Sequence, residues 1–154
     1  MNEDEKWMHL ALEQAKRAEL EGEIPVGAVL VKDGLLLAKA HNQSILKNDA
    51  SAHAEIQLIR KAGQIIKNYR LINTTIYITL EPCSMCLGAI MNARISRIVY
   101  GAHDYKTGVC GSCIDLVNNK CFNHKIEIKF GILEEKCKQL LQKFFQTKRK
   151  KLIQ

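Results

Sequence analysis

Cys83 and Cys86 stand three positions apart in the stretch LEPCSMCLGAI, directly after Pro82 and ahead of an apolar run. Thiolates are both nucleophiles and soft metal ligands, so a Cys-x-x-Cys pair serves equally as a redox couple, half a structural zinc knot or part of a catalytic metal centre. The remaining ligands decide. Upstream lies Ser51-Ala52-His53-Ala54-Glu55. Two cysteines and one histidine make three zinc ligands and leave the fourth tetrahedral position for water, whereas a structural site is closed by four protein ligands. Glu55 brings a carboxylate able to act as general acid and base on that water. Residues i and i+2 of an ideal helix lie about 200° apart, so His53 and Glu55 converge only at a helix tip. The two-histidine HExxH pattern of metalloproteases is absent.

The four other cysteines, Cys110, Cys113, Cys121 and Cys137, fall outside this set. Cys110-Gly-Ser-Cys113 is a second C-x-x-C but has no complete set of partners, and we read these cysteines as small buried apolar residues.

The elements that must position these residues follow from hydrophobic period. Apolar side chains at Trp7, Met8, Leu10, Ala11, Leu12, Ala15 and Ala18 mark an amphipathic helix that Gly22 stops. Strands are expected over 26–32 and 35–40, joined by the hairpin dipeptide Asp33-Gly34. A helix runs over 52–66, followed by a β-branched strand over 75–80. Pro82 then opens a helix to about Asn92, since a missing N–H costs nothing there. A strand at 97–100, a short helix near 114–117, a strand at 125–129 and a last helix over 133–150 complete the order. Helices packed on a mixed five-stranded sheet follow, with the later strands parallel because crossover helices join them.

Composition sets the class. The chain has 154 residues, 47% hydrophobic and 25% charged, with two prolines, which suits a single domain over 1–154 with a buried core. No apolar run approaches the roughly 20 residues of a membrane span. The start, MNEDEKW, is acidic where a secretion signal is basic and then apolar. A cytoplasmic location is expected, where six cysteines speak for thiol or metal chemistry rather than disulfides. The net charge of +7 is lopsided: residues 1–23 carry seven acids against three bases, and residues 136–151 carry seven bases and no acid. Such a tail is either a solvated helix or a phosphate-binding surface.

His53-Ala54-Glu55 with Pro82-Cys83-Ser84-Met85-Cys86 matches the known H-x-E…P-C-x-x-C signature of zinc nucleobase deaminases. Beyond the signature, Ile24-Pro25-Val26-Gly27-Ala28-Val29, Asn68-Tyr69-Arg70-Leu71, Thr79-Leu80-Glu81, Gly101-Ala102-His103-Asp104-Tyr105-Lys106-Thr107-Gly108 and Phe144-Phe145 resemble the bacterial tRNA-specific adenosine deaminases over nearly the whole chain. The resemblance implies a cytidine-deaminase-like three-layer α/β/α fold, with helices on both faces of the sheet, in a homodimer holding one zinc ion per subunit. It implies hydrolysis of the wobble adenosine, position 34, of an arginine tRNA anticodon to inosine; the alternative is a deaminase of free guanine or cytosine. His53, Cys83 and Cys86 become the zinc ligands and Glu55 the catalytic residue. Asn42 would bond the purine, Val26 and Ala54 would wall its pocket, Asp104 would stand in the loop beside the substrate, and Phe145 and Arg149 would touch the anticodon stem-loop. Phe144 and Phe145 cannot both face the core of one helix, which leaves one of them for stacking on a base.

Overall fold

The computed structural model describes residues 1–153. Helix α1 (Glu3–Leu20) opens at Asn2, whose side chain accepts the Glu5 N–H, and its first turn holds Glu3, Asp4 and Glu5 against the positive end of the helix. Strands β1 (Gly27–Lys32) and β2 (Leu35–His41) form a hairpin. Asp33 and Gly34 both adopt positive φ, 52° and 72°, as the favoured two-residue hairpin turn requires. Then follow α2 (Ala54–Ile66), β3 (Thr74–Leu80), α3 (Ser84–Asn92), β4 (Arg97–Ala102), β5 (Glu127–Phe130) and α4 (Glu134–Ile153).

The sheet order is β2-β1-β3-β4-β5. β1 is antiparallel to both β2 and β3, while β3, β4 and β5 run parallel, which is the expected mixed sheet. The two-residue period of the strands divides the core. Ile76, Ile78, Ile98 and Tyr100 point to one face, where they meet Leu58 of α2 and Leu87, Ile90 and Met91 of α3. Tyr77 and Val99 point to the other, against Trp7, Met8 and Leu12 of α1 and Cys137 of α4. The architecture is therefore three layers, with helices on both faces. On the α1 side the approach is close: a Cβ on Gly27 would lie 2.1 Å from the Ala11 carbonyl oxygen, so α1 rests its backbone directly on β1.

Several expectations need correction. Residues 114–117 are irregular chain rather than a helix, with an isolated bridge between Cys110 and Asp115 and a turn beginning at Val117. The Asp115 carboxylate takes up the Val117 N–H and the Asn118 side chain, which offers this backbone a local alternative to helical bonding. Pro82 lies one residue before the N-cap, Cys83, and α2 starts at Ala54 with His53 as its N-cap. The last strand is displaced to Glu127–Phe130. Of the four additional cysteines only Cys137 is buried; Cys110 is half-buried, and Cys113 and Cys121 are exposed.

Asp4 ties the N-terminus to the sheet. Its carboxylate accepts two bonds from the Arg97 guanidinium at 2.9 Å, one from Lys129 Nζ at 2.9 Å and one from the Tyr77 hydroxyl at 2.8 Å. One side chain thereby joins α1 to β3, β4 and β5. The Arg97 guanidinium holds the Asp4 carboxyl well below the usual carboxylate range, against the opposing effect of its own burial. Since the folded-state pKa is depressed, the stability it contributes is complete above the unfolded carboxyl value of about 3.9 and is lost as pH falls below it. Asp4→Asn should cost about 2 kcal/mol near neutrality. The gap to wild type should close as pH falls from about 5 to about 2, as read by urea denaturation across that range.

On α4, Phe144 turns inward at 8% exposure while Phe145 is 43% exposed. Phe144→Ala should therefore destabilise the fold by about 3 kcal/mol, the low end of the range for buried phenylalanines. Phe145→Ala should stay within about 1 kcal/mol of wild type in the same thermal melts.

Candidate active site

Helices α2 and α3 present their N-termini to each other. His53 is the N-cap of α2 and Cys83 the N-cap of α3, both in extended conformation, and neither spends its side chain on capping its own helix. Their side chains are thus free to point across the gap. Cys86 projects from the first turn of α3 beside Cys83. His53 Nδ1 lies 3.7 Å from Cys83 Sγ and 3.5 Å from Cys86 Sγ. Among the described residues this is the one group of three or more His, Cys, Asp or Glu side chains whose donor atoms could hold a metal ion. The helix-tip condition for His53 and Glu55 is met, because His53 precedes the first helical turn and Glu55 lies within it.

The three side chains interact strongly with one another. Hydrogen bonding from the Cys86 thiol, followed by that from His53, brings the Cys83 thiol down to about 4, so Cys83 is a thiolate at neutral pH. Its hydrogen bond raises Cys86, with burial adding to the effect. The same thiolate raises His53. Glu55 is 4% exposed, and burial pushes its carboxyl up to about 7. A carboxyl poised near neutrality can both take and give a proton.

A cavity of about 160 Å³ opens over these residues. Val26, Asn42, Ala54 and Asp104, the four pocket residues expected from the sequence, all line it, together with His53, Glu55 and Cys83. Asn42 is buried and held in place: its Nδ2 donates to the Ile24 carbonyl at 3.4 Å, and its Oδ1 accepts the Ser44 hydroxyl at 3.1 Å. The Asp104 carboxylate accepts the Lys106 and Thr107 N–H groups and the Thr107 hydroxyl, so it shapes its own turn. A second, larger groove of about 890 Å³ adjoins the first, sharing Ile24, Leu80 and Asp104 with it. Phe145 and Arg149 line this groove rather than the first cavity, alongside Tyr105, Lys106, Lys138 and Lys148. Phe145 is the exposed member of the Phe-Phe pair and the one available to a ligand.

Two buried acids near the site have no counterpart in the sequence reading. Glu23, 1% exposed, accepts the Ile45 and Leu46 N–H groups at 3.0 and 2.8 Å and so anchors the loop that leads to His53. Glu81, 2% exposed, does the same for the loop after β4. The signal available was an acid set against an apolar strand, in Leu80-Glu81-Pro82, where solvation is not on offer.

A family model of MafB19-like deaminases matches residues 2–149. The chain is 51% identical, over 95% of its length and 85% of the relative's, to a tRNA-specific adenosine deaminase of Haemophilus influenzae. Among solved structures it resembles a tRNA:A34 deaminase studied for A-to-I editing at the wobble position of transfer RNA. That match has a TM-score of 0.86 at 40% identity and covers 88% of this chain and 99% of that one. It also resembles a guanine deaminase of Bacillus subtilis, with a TM-score of 0.63 at 41% identity over 67% of this chain and 66% of that one. The paired helix tips with their histidine and two cysteines, the buried glutamate beside them and the similarity along the whole chain lead to one assignment: the protein is a deaminase of the MafB19-like family and belongs with the tRNA-specific adenosine deaminases.

Proposed function

We propose that the protein is a zinc-dependent hydrolase that converts the wobble adenosine, position 34, of a tRNA anticodon to inosine, with an arginine tRNA as substrate. The observation that carries this reading is the placement of Glu55 beside His53, Cys83 and Cys86 in a cavity that continues into a basic, aromatic groove. The donor set fits zinc. Tetrahedral zinc with sulfur at about 2.3 Å and imidazole nitrogen at about 2.05 Å separates those two atoms by about 3.6 Å, against 3.7 and 3.5 Å here. His53, Cys83 and Cys86 would hold one ion per subunit and leave its fourth position to water. Zinc, when bound, acidifies that water.

The protein's own groups do the rest. Glu55 takes a proton from the water as the water oxygen adds to C6 of the adenine, and Glu55 delivers that proton to N1. The proton of the new C6 hydroxyl then passes through Glu55 to the exocyclic nitrogen. The C6–N6 bond breaks, ammonia leaves, and the C6 carbonyl of inosine remains. Asn42 would bond the purine edge while Val26 and Ala54 pack on its faces. A small cavity admits a base only after it leaves its stack, which costs least in a single-stranded loop.

The adjoining groove supports RNA over a free base. Lys106, Lys138, Lys148 and Arg149 suit a phosphate backbone, and Phe145 and Tyr105 offer faces on which flanking bases stack. Asp104 stands at the junction of cavity and groove. A homodimer is part of the same proposal. A cytoplasmic location goes with the tRNA substrate. Among the described residues no helix is long and apolar enough to cross a membrane.

The deciding assay incubates the protein with an arginine tRNA carrying adenosine at the wobble position and looks for inosine there. Ammonia released from free guanine or cytosine, with no inosine in the tRNA, would replace this reading with a free-base deaminase. Glu55→Ala should keep its zinc and lose about a thousandfold in kcat; near-normal turnover by that variant contradicts the mechanism. His53→Ala and Cys86→Ala should purify without stoichiometric zinc by metal analysis. A chelator should silence the wild type until zinc is returned.

A further inference from the structure

The loop that follows β4 carries Asp104 to the substrate cavity, and it is wrapped around the carboxylate of Glu81, a residue that itself borders that cavity. Glu81 leaves the end of β3 two residues before Cys83, with its side chain wholly enclosed. Its Oε1 accepts the Asp104 N–H at 3.1 Å, and its Oε2 accepts the Cys110 N–H at 2.9 Å and the Ser112 N–H at 3.2 Å. Its backbone N–H donates to the Ala102 carbonyl at 2.9 Å, at the root of the same loop. Val109 N–H donates to the Pro82 carbonyl at 3.1 Å, next in the chain. Gly108 closes over the carboxylate. A Cβ there would lie 2.5 Å from Glu81 Cδ and 2.4 Å from the Asp104 carbonyl oxygen.

We propose that Glu81 is a positioning residue that sets how tightly the site grips its substrate, by fixing the 103–112 loop and with it Asp104. The chemistry is that of a backbone cradle: several N–H groups converge on one acceptor group, as they do around bound anions, but here the anion belongs to the protein. Because Glu81 and Cys83 lie on one short stretch, the wall of the substrate cavity is registered to the metal ligands through two residues of chain. The assignment rests on the cavity described above as the substrate site.

The test uses the full-length protein loaded with zinc. Glu81→Gln keeps the shape of the side chain but sets an NH2 group against N–H donors. It should accelerate amide hydrogen exchange at Asp104, Cys110 and Ser112 by about tenfold or more and raise KM on the anticodon stem-loop by about tenfold. kcat should change by less than about threefold, with zinc content unchanged. Gly108→Ala disturbs the same joint from the loop side and should act in the same direction. The double variant should be no worse than the poorer single one, since both break one contact. Unchanged exchange at those amides overturns the proposal, and so does a loss of zinc or an equal fall in kcat that accounts for the whole effect. If wild type makes no inosine in the stem-loop, the RNA reading has failed; the exchange experiment still decides the role of Glu81, and KM is then read on the free base that wild type deaminates.

Discussion

Strand direction is the constraint from which the site follows. β1 is antiparallel to both β2 and β3, so β2 and β3 run the same way, and β4 follows them in parallel. Every segment that leaves the end of β2, β3 or β4 therefore emerges at one edge of the sheet, and the chain enters β1 at that same edge. The segment after β2 leads to His53 and Glu55, the one after β3 holds Glu81, Cys83 and Cys86, and the one after β4 brings Asp104. Val26 arrives on the approach to β1. Residues scattered over some eighty positions of sequence share one cavity because of two antiparallel pairings and one parallel pairing.

Helix ends turn that proximity into chemistry. An N-terminus has unpaired N–H groups and a partial positive charge, which favours anionic groups nearby. Two such ends meet here, and the residues that would ordinarily cap them, His53 and Cys83, turn their side chains toward each other instead. Glu55 is buried in the same place. A buried carboxyl beside a thiolate is unfavourable in isolation, and groups perturbed in this way cluster at functional sites.

The grouping of His53, Cys83 and Cys86 was legible because a Cys-x-x-Cys pair and an upstream His-x-Glu together match a known signature, and nine of the ten expected elements form. The short helix near 114–117 was misread because apolar spacing over four residues says nothing of Asp115, whose carboxylate captures the neighbouring N–H. The partners of Glu23 and Glu81 escape the sequence for a related reason. Each binds backbone N–H groups in a loop distant in sequence, and backbone groups carry no residue-type signal. Phe144 and Phe145 could be separated only once the direction of α4 against the sheet was known.

The Asp4 clasp bears on how the chain comes together in time. Its partners Tyr77, Arg97 and Lys129 lie 73, 93 and 125 residues away. During synthesis the full set of partners is present only once residue 129 has been made. Such long-range closure is slow because chain entropy is lost before the contact forms. The helices α2 and α3 lie between the two ends of the clasp, so every residue of the candidate metal group has been synthesised before the last partner of Asp4.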